Sequence, residues 1–404
     1  MKESGMLKGQ EQKNLTEMKK ILVLVASITN LPIIEAAKAK GCYVITCDNK
    51  PDNPGHKIAD ESIFIDVCEY DKIIQEVTGK NIDAVVSFVS SHGLLSAAMI
   101  ANRFGLKGYA IETIETLTDK GKFREFLQKN SLTYPIFQYT DHFEKLHKEK
   151  IDYPVIVKPT GGGGSQGVTK VNTEAQLIDA FKKAQVLSDK GEVIVETFIE
   201  SNRFINGDCL ICDRKIVARL IGDYVYDNEV TEVVPIATVF PSADDTSGVL
   251  EQLSIIIERL NIPDGIINFE AIIKENKSYI VEINPRPSGN YIWKLLGHKY
   301  NMDIPGMLID LYTNQGPGVD DFNEGDDNGY AYQLIYSSEE KVFDVFHVPK
   351  GMDQSILDLK LFVKTGDCIK KLNTLFDRAG LLLLRFEDNA EKIHYLDNTH
   401  KFKI

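Results

Sequence analysis

The 404-residue chain contains no apolar run of the ~18 residues that a membrane-spanning helix requires. Its opening, MKESGMLKGQEQKNLTEMKK, lacks the apolar core of a secretory signal. Both absences set the expectation of a cytoplasmic protein with no membrane partner. Basic charge is also scarce: 46 Lys and Arg stand against 59 Asp and Glu, for a net charge of −13. A nucleic-acid partner demands a basic face, so that class is excluded, while a local basic pocket for a small phosphorylated ligand is not. The six cysteines, at 42, 47, 68, 209, 212 and 368, have no disulfide-framework spacing. Cys209 and Cys212 form a C-x-x-C inside GDCLICDRKIV, but a zinc site would want a second pair, so core or edge cysteines are expected. The single tryptophan, Trp293 in YIWKLLG, reads as helix core. There is no internal repeat and no low-complexity tract.

What is present begins, after a polar leader over residues 1–18, with alternating strand and helix signals over residues 19–115. KKILVLVAS, YVITCDN and IDAVVSFVS read as strands, with LPIIEAAKAKG, YDKIIQEVTGK and GLLSAAMIANRFG as helices between and after them. Such alternation implies a parallel sheet with functional loops at the carboxyl ends of its strands. Asp48 ends the second strand, where dinucleotide folds place a ribose-binding acid. No glycine-rich turn follows the first strand, only ASITNLP, which argues against a nicotinamide cofactor. His92, between the third strand and its helix, is a pocket or turn residue. From residue 116 the pattern changes to mixed α+β with antiparallel strands, through 318. Within it TDKGKFREFLQKN is a helix on which Lys122 and Arg124 read as a solvated face, and a further helix is expected between FQYT and VIVKP. An acidic stretch, VDDFNEGDDNG, then introduces a small carboxyl-terminal lobe, 319–404.

Two stretches carry chemistry. VIVKPTGGGGSQGV, residues 155–168, puts a lysine and four glycines after a buried strand. Glycines of this density serve where backbone approaches a ligand closely or moves. The amides of residues 161–164, the Ser165 hydroxyl and Lys158 suit a phosphate, and a mobile hairpin loop is the plain alternative. Neither a P-loop, whose lysine follows the glycines, nor a Rossmann fingerprint, which opens a helix, matches. The second stretch is IINFEAIIKENKSYIVEINPRPSGN. Two strand-like runs flank KENKS, so Glu270 and Glu282 are expected to face each other across a hairpin, with Asn284 on the same side. Opposed carboxylates repel unless a cation sits between them, and this oxygen set suits Mg²⁺. The plain alternative is a surface hairpin with exposed glutamates.

Asp119-Lys120, VIVKP with its glycine loop, VIVETFIE and FEAIIKENKSYIVEINPRPSG, in that order, resemble the ATP-grasp superfamily of carboxylate-amine ligases. VKTGDCIKKLNTLFDRAGLLLL resembles the small final lobe of its biotin-carboxylase-like branch. The resemblance implies an α/β and α+β multidomain fold: an N-terminal parallel α/β domain, an ATP-grasp fold of two α+β lobes over 116–318, and a small β-rich lobe. It implies ATP and Mg²⁺ (or Mn²⁺) as cofactors. Lys120 and Lys158 would reach the phosphates, the loop with Gly162, Gly163, Gly164, Ser165 and Gly167 would cover them, and Glu270, Glu282 and Asn284 would hold the metal. Arg286 would neutralise the transferring phosphoryl group. Glu196, Thr197 and Ile199 would form the adenine hinge, largely through backbone atoms, with Phe269 also in the nucleotide site. The partners implied are small-molecule carboxylate and amine substrates, and a homodimer is frequent in that branch.

One position departs from the pattern. The acid that commonly binds the ribose is Arg203 here, and Asp208 is a candidate substitute. NPRPSGNY lacks the bicarbonate-activating acid of biotin carboxylases and the histidine usual in purine-pathway enzymes. It is nearest to amino-acid and dipeptide ligases. The alternatives are a purine-biosynthetic ATP-grasp enzyme (phosphoribosylglycinamide synthetase, transformylase or carboxyaminoimidazole-ribotide synthetase type) and a non-catalytic nucleotide-binding protein.

Overall fold

The computed structural model describes residues 18–163, 166–231, 234–314, 316, 322 and 324–404. The leader, except for Met18, and part of the acidic stretch lie outside these. Strands β1 (Lys20–Leu24), β2 (Tyr43–Cys47), β3 (Glu61–Ile63) and β4 (Ala84–Val86) form the expected parallel sheet, in the order β3–β2–β1–β4. Helix α1 (Leu31–Ala39) packs Ile33 and Ile34 against Ile21, Val23 and Val44 on one face. On the other, α2 (Tyr70–Val77) and α3 (Leu94–Phe104) bury Ile73, Val77 and Ile100 against Leu22, Leu24 and Ile45. The strand order reverses between β1 and β4, so the loops after those strands frame a crevice. Asp48 does not face it as a ligand would. Its carboxylate accepts from the Ala26 and Lys50 N–H groups and from Asn53 Nδ2, at 2.8–2.9 Å, and so braces the β1 and β2 loops.

After α4 (Ile111–Thr118), helix α5 (Lys120–Lys129) starts at Asp119, whose side chain caps it by accepting from the Lys122 N–H. A second sheet follows, built from β5 (Phe137–Thr140), β6 (Val155–Pro159), β7 (Thr169–Val171) and β8 (Val193–Thr197), in the order β5–β8–β6–β7. Helix α6 (Glu174–Val186) covers it, Leu177, Phe181 and Ala184 packing on Val155, Val157, Val193 and Val195. The helix expected between β5 and β6 is two 3₁₀ turns, Phe143–Lys145 and Lys148–Lys150. HFEKLHKEK offers too few apolar residues at helical spacing to sustain an α-helix.

The largest element is an antiparallel sheet of eight strands. It takes β9 (Phe204–Cys212), β10 (Lys215–Val225), β11 (Ala237–Phe240), β12 (Gly265–Lys274) and β13 (Lys277–Asn284). It continues with β14 (Gly329–Ile335), β16 (Ile356–Leu361) and β18 (Gly380–Phe386), in the order β13–β12–β9–β10–β11–β14–β18–β16. The strands from the carboxyl-terminal segment thus extend the central sheet, while β15 (Lys341–Val342) and β17 (Cys368–Ile369) pair apart from it. Helix α7 (Ser247–Arg259) and α5 cover one face, while α8 (Ile292–Tyr300) and α9 (Ile304–Tyr312) join it to the parallel sheet on the other. Helix α10 (Asn389–Leu396) seals the far end through Tyr395. Trp293 packs edge-on against Phe88, at 5.1 Å between ring centroids, as core. Cys209 and Cys212 are buried and unbridged on β9.

Candidate active site

Between the second sheet and the β12–β13 end of the large sheet lies a cavity of about 270 Å³. Its first wall is cationic. Lys158 on β6 and Glu196 on β8 form a buried ion pair, and Arg124 Nε donates to the same carboxylate at 3.0 Å. Arg124 also donates to Val281 O at 3.0 Å, tying α5 to β13. One carboxylate between two cations is overcompensated. Burial works against the Glu196 charge, yet Arg124 and Lys158 pull its pKa down to about 2. Each cation has only a share of the one anion, and burial pushes the Lys158 ammonium below its ordinary value. The wall therefore has positive charge in excess of its partners, which favours an anion in the cavity.

Lys120 opens α5 and spans the cleft. Its Nζ donates to Gly162 O at 2.9 Å and stands 3.3 Å from Glu282 Oε2, so it links the glycine loop to the opposite wall. The loop needs its glycines: Gly162 and Gly167 have φ of +89° and +73°. At Gly167 a Cβ would meet Leu187 and Pro159 at 3.1 Å. Gly162 and Gly163 line the cavity, and Gly164 and Ser165 lie outside the described residues.

The opposite wall is the expected hairpin. Glu270 and Glu282 are direct cross-strand partners, and Asn268 pairs Asn284 nearby on the same two strands. Tyr224 donates to Glu270 Oε1 and Asn284 Nδ2 to Glu282 Oε1, both at 2.9 Å. Burial and the facing Glu282 push the Glu270 carboxyl up to about 7. Glu282 is held below its ordinary value despite burial, because Lys120 and Asn284 favour its charge. Among the described residues no group of three or more His, Cys, Asp or Glu forms a metal cluster. Two carboxylates with an amide beside them suit a cation that shares its coordination with phosphate and water, as Mg²⁺ does. The repulsion stored between Glu270 and Glu282 is the specific feature that such a cation would relieve.

Arg286 lies beside this hairpin, donating from Nε to Ser91 Oγ at 2.9 Å and from Nη1 to Pro287 O. Burial lowers its pKa, against the pull of Glu282, Asp208 and Glu270. Through Ser91 it connects the site to the loop after β4, where His92 also sits. Thr197 and Ile199 line the cavity, but the Thr197 N–H is committed to Ile136 O at 2.9 Å and so is not a free donor for a base.

Three expectations do not hold in the structure. Phe269 alternates away from the cavity, is fully buried, and packs with Phe123, Leu127 and Ile256 under the sheet. Asp208 is fully buried between Asn268 Nδ2 and the Ser288 N–H, and burial lifts it to about 7. It does not line the cavity, and Arg203 is bound to Asp244 at 2.7 Å, so neither supplies a ribose acid. Arg124 is no solvated face. It is buried, and the clue is its position one residue after Phe123 and three before Leu127, both core. Lys122 alone is surface, paired with Glu115. Tyr224 and Tyr226, in the segment DYVYDNEVTEVVPIATVFP, also line the cavity, and only their aromatic character inside a polar stretch marks them individually.

The chain matches the family model described as an ATP-grasp domain over residues 117–290, the stretch that carries both walls. Over less than half of its length, therefore, the chain is similar to an ATP-grasp domain. Among curated relatives, the carbamoyl phosphate synthase large chain of Thermoanaerobacter sp. (strain X514) is 26% identical over 201 residues, covering 48% of this chain and 18% of that protein. The same enzyme chain from Thermotoga sp. (strain RQ2) is 23% identical over 358 residues, 80% of this chain and 31% of the relative. The chain thus spans less than a third of the length of either. Among solved structures, L-amino acid ligase from Bacillus licheniformis superposes with a TM-score of 0.79 at 17% identity, covering 96% of this chain and 98% of that one. Phosphoribosylglycinamide synthetase from Anaerococcus prevotii gives 0.74 at 21% identity, covering 95% and 98%. At these identities the superpositions establish the ATP-grasp fold. No helix among the described residues is long and apolar enough to cross a membrane.

Proposed function

We propose that the protein is an ATP-dependent carboxylate-amine ligase, acting on an amino acid or small carboxylate. The observation that carries this reading is the pairing of two opposed walls across one cavity: Lys120 and Lys158 with excess positive charge, facing the Glu270–Glu282 pair. Cations on one side and a divalent-metal pair on the other are what a nucleotide triphosphate requires. A protein of similar fold, the biotin carboxylase domain of Hydrogenobacter thermophilus 2-oxoglutarate carboxylase, was solved in complex with MgADP and bicarbonate. A Mg²⁺ held by Glu270, Glu282 and Asn284 would supply charge neutralisation at the phosphates. In this reading Lys120 and Lys158 orient the phosphates, and Thr197 and Ile199 border the base. Arg286 steadies the charge on the oxygens of the transferring group.

A substrate carboxylate oxygen attacks the γ-phosphorus, the bond to the β–γ bridging oxygen breaks, and ADP leaves. The amine then adds to the acyl phosphate, loses a proton and expels inorganic phosphate, giving the amide. No protein nucleophile is needed, since positioning and electrostatics provide the catalysis. The glycine loop would keep water from the acyl phosphate.

The test is phosphate release from ATP and Mg²⁺ with pooled amino acids and small carboxylates, with Glu282→Ala as the blank. Pool-dependent release that the variant lacks supports the reading. Tight ATP binding without release from any pool, ribosylamine phosphates and bicarbonate included, overturns it in favour of a nucleotide-binding protein.

A further inference from the structure

Each of the two facing carboxylates has one oxygen engaged by a neutral donor. Tyr224 donates to Glu270 Oε1 and Asn284 Nδ2 to Glu282 Oε1, both at 2.9 Å. The Lys120 ammonium stands beside the other oxygen of Glu282, Oε2, at 3.3 Å. On Glu282, therefore, the neutral donor and the cation take different oxygens. Tyr224 reaches Glu270 from two strands away. Glu270 on β12 pairs Asn206 on β9, which pairs Gly222 on β10, so these three share one face of the sheet. Tyr224 follows Gly222 by two residues and projects to that face as well, so its ring crosses β9 to bring the hydroxyl to the carboxylate. The ring is braced. Tyr226 packs edge-on against it at 6.1 Å between centroids, and Phe204 edge-on against Tyr226 at 5.9 Å. All three rings line the cavity. Packing of this kind returns the hydroxyl to one place, so Glu270 Oε1 is held, while among the described residues no donor is bonded to its Oε2.

We propose that Tyr224 is a positioning residue for Glu270, and that its hydrogen bond makes the carboxylate pair select Mg²⁺ or Mn²⁺ over Ca²⁺. The inference rests on the nucleotide and metal site of the ligase reading and adds the residue that tunes it. Mg²⁺ demands near-ideal octahedral order at about 2.0–2.1 Å, whereas Ca²⁺ takes about six to eight oxygens at longer range, often both oxygens of one carboxylate. A carboxylate whose Oε1 is engaged and whose plane is fixed offers one oxygen in one direction. That serves the smaller ion and denies the larger one its second contact. Groups that orient a ligating side chain in this way typically contribute about ten- to a hundredfold in metal affinity. A phenol that only filled the wall would contribute through its ring and not through its hydroxyl.

The experiment compares the full chain as wild type, Tyr224→Phe, Glu270→Ala and the double variant, each with a non-hydrolysable ATP analogue. Thermal shift is titrated with Mg²⁺, Mn²⁺ or Ca²⁺ at fixed analogue, and the analogue is also titrated in EDTA. Phosphate release from ATP is measured in parallel. In Tyr224→Phe the Mg²⁺ or Mn²⁺ needed for half the shift should rise roughly tenfold or more. The Ca²⁺ requirement should change by less than about threefold, because a freed Oε1 compensates the larger ion. Stabilisation by the analogue in EDTA should not change, whereas a collapsed wall would weaken it. In Glu270→Ala the hydroxyl has no carboxylate to hold, so adding Tyr224→Phe should raise the Mg²⁺ requirement no further. Tyr226→Leu carries the test if Tyr224→Phe does not fold: loosening the ring should raise the Mg²⁺ requirement more than that for Ca²⁺. An unchanged Mg²⁺ requirement, equal losses for Mg²⁺ and Ca²⁺, additive losses in the double variant, weaker analogue binding in EDTA, or a wild type that responds equally to Mg²⁺ and Ca²⁺ or to no metal overturns the proposal. Phosphate release with the same Mg²⁺ requirement in wild type and Tyr224→Phe would remove this role and keep the ligase; a Tyr224-dependent Mg²⁺ preference without release from any pool would do the reverse.

Discussion

Glu196→Gln is the sharpest perturbation of the cationic wall. The side chain is 6% exposed and sits between Lys158 and Arg124, themselves 6% and 1% exposed. Holding its carboxyl at about 2, from an ordinary 4.5, corresponds to about 3 kcal/mol of stability. Because the folded value is the lower one, that contribution is complete above pH 4.5 and is lost as pH falls from 4.5 towards 2. The glutamine variant lacks it at pH 7 already and leaves two buried cations unmatched, so the expected loss is about 3–5 kcal/mol. Lys158→Met behaves differently. Burial already disfavours the ammonium, and Arg124 still neutralises Glu196, so that change should cost less than about 1 kcal/mol. Native-state hydrogen exchange at the amides of β6 and β8, without nucleotide, reads the local free energy directly. Equal losses in the two variants, or a glutamine variant as protected as wild type at pH 7, would refute the account of one anion shared by two cations.

Phe269→Ala should lower stability by about 3–5 kcal/mol while ATP affinity, measured by titration calorimetry, stays within about twofold, since the ring fills the core beneath the sheet. Glu282→Ala should abolish the Mg²⁺-dependent part of the thermal stabilisation by an ATP analogue, because it removes one of the two facing carboxylates and the partner of Lys120. At Gly222 a Cβ would lie 2.5 Å from both Val239 O and the Phe240 ring, so Gly222→Ala should destabilise by about 1–3 kcal/mol, read as a lower denaturation midpoint in urea.

The parallel sheet was legible because its strands are continuous apolar runs buried on both faces. β3 was not, since Glu61–Ile63 has one buried apolar residue and is a strand only by pairing with β2. The carboxylate hairpin was legible because a turn halfway between Glu270 and Glu282 fixes their register. Sequence alternation also places Phe269 opposite Glu270, so its exclusion from the cavity was implicit in the same pattern that put Glu270 there. Arg124 shows the limit from the other side. It is one charged residue among ordinary neighbours, and what makes it consequential is a partner distant in the chain, Glu196. Local periodicity can say that Arg124 falls on a buried face, but not that an anion waits there. The cavity in this fold is therefore assembled across strands that lie far apart in the chain, and a residue such as Arg124 acquires its partner only when they meet.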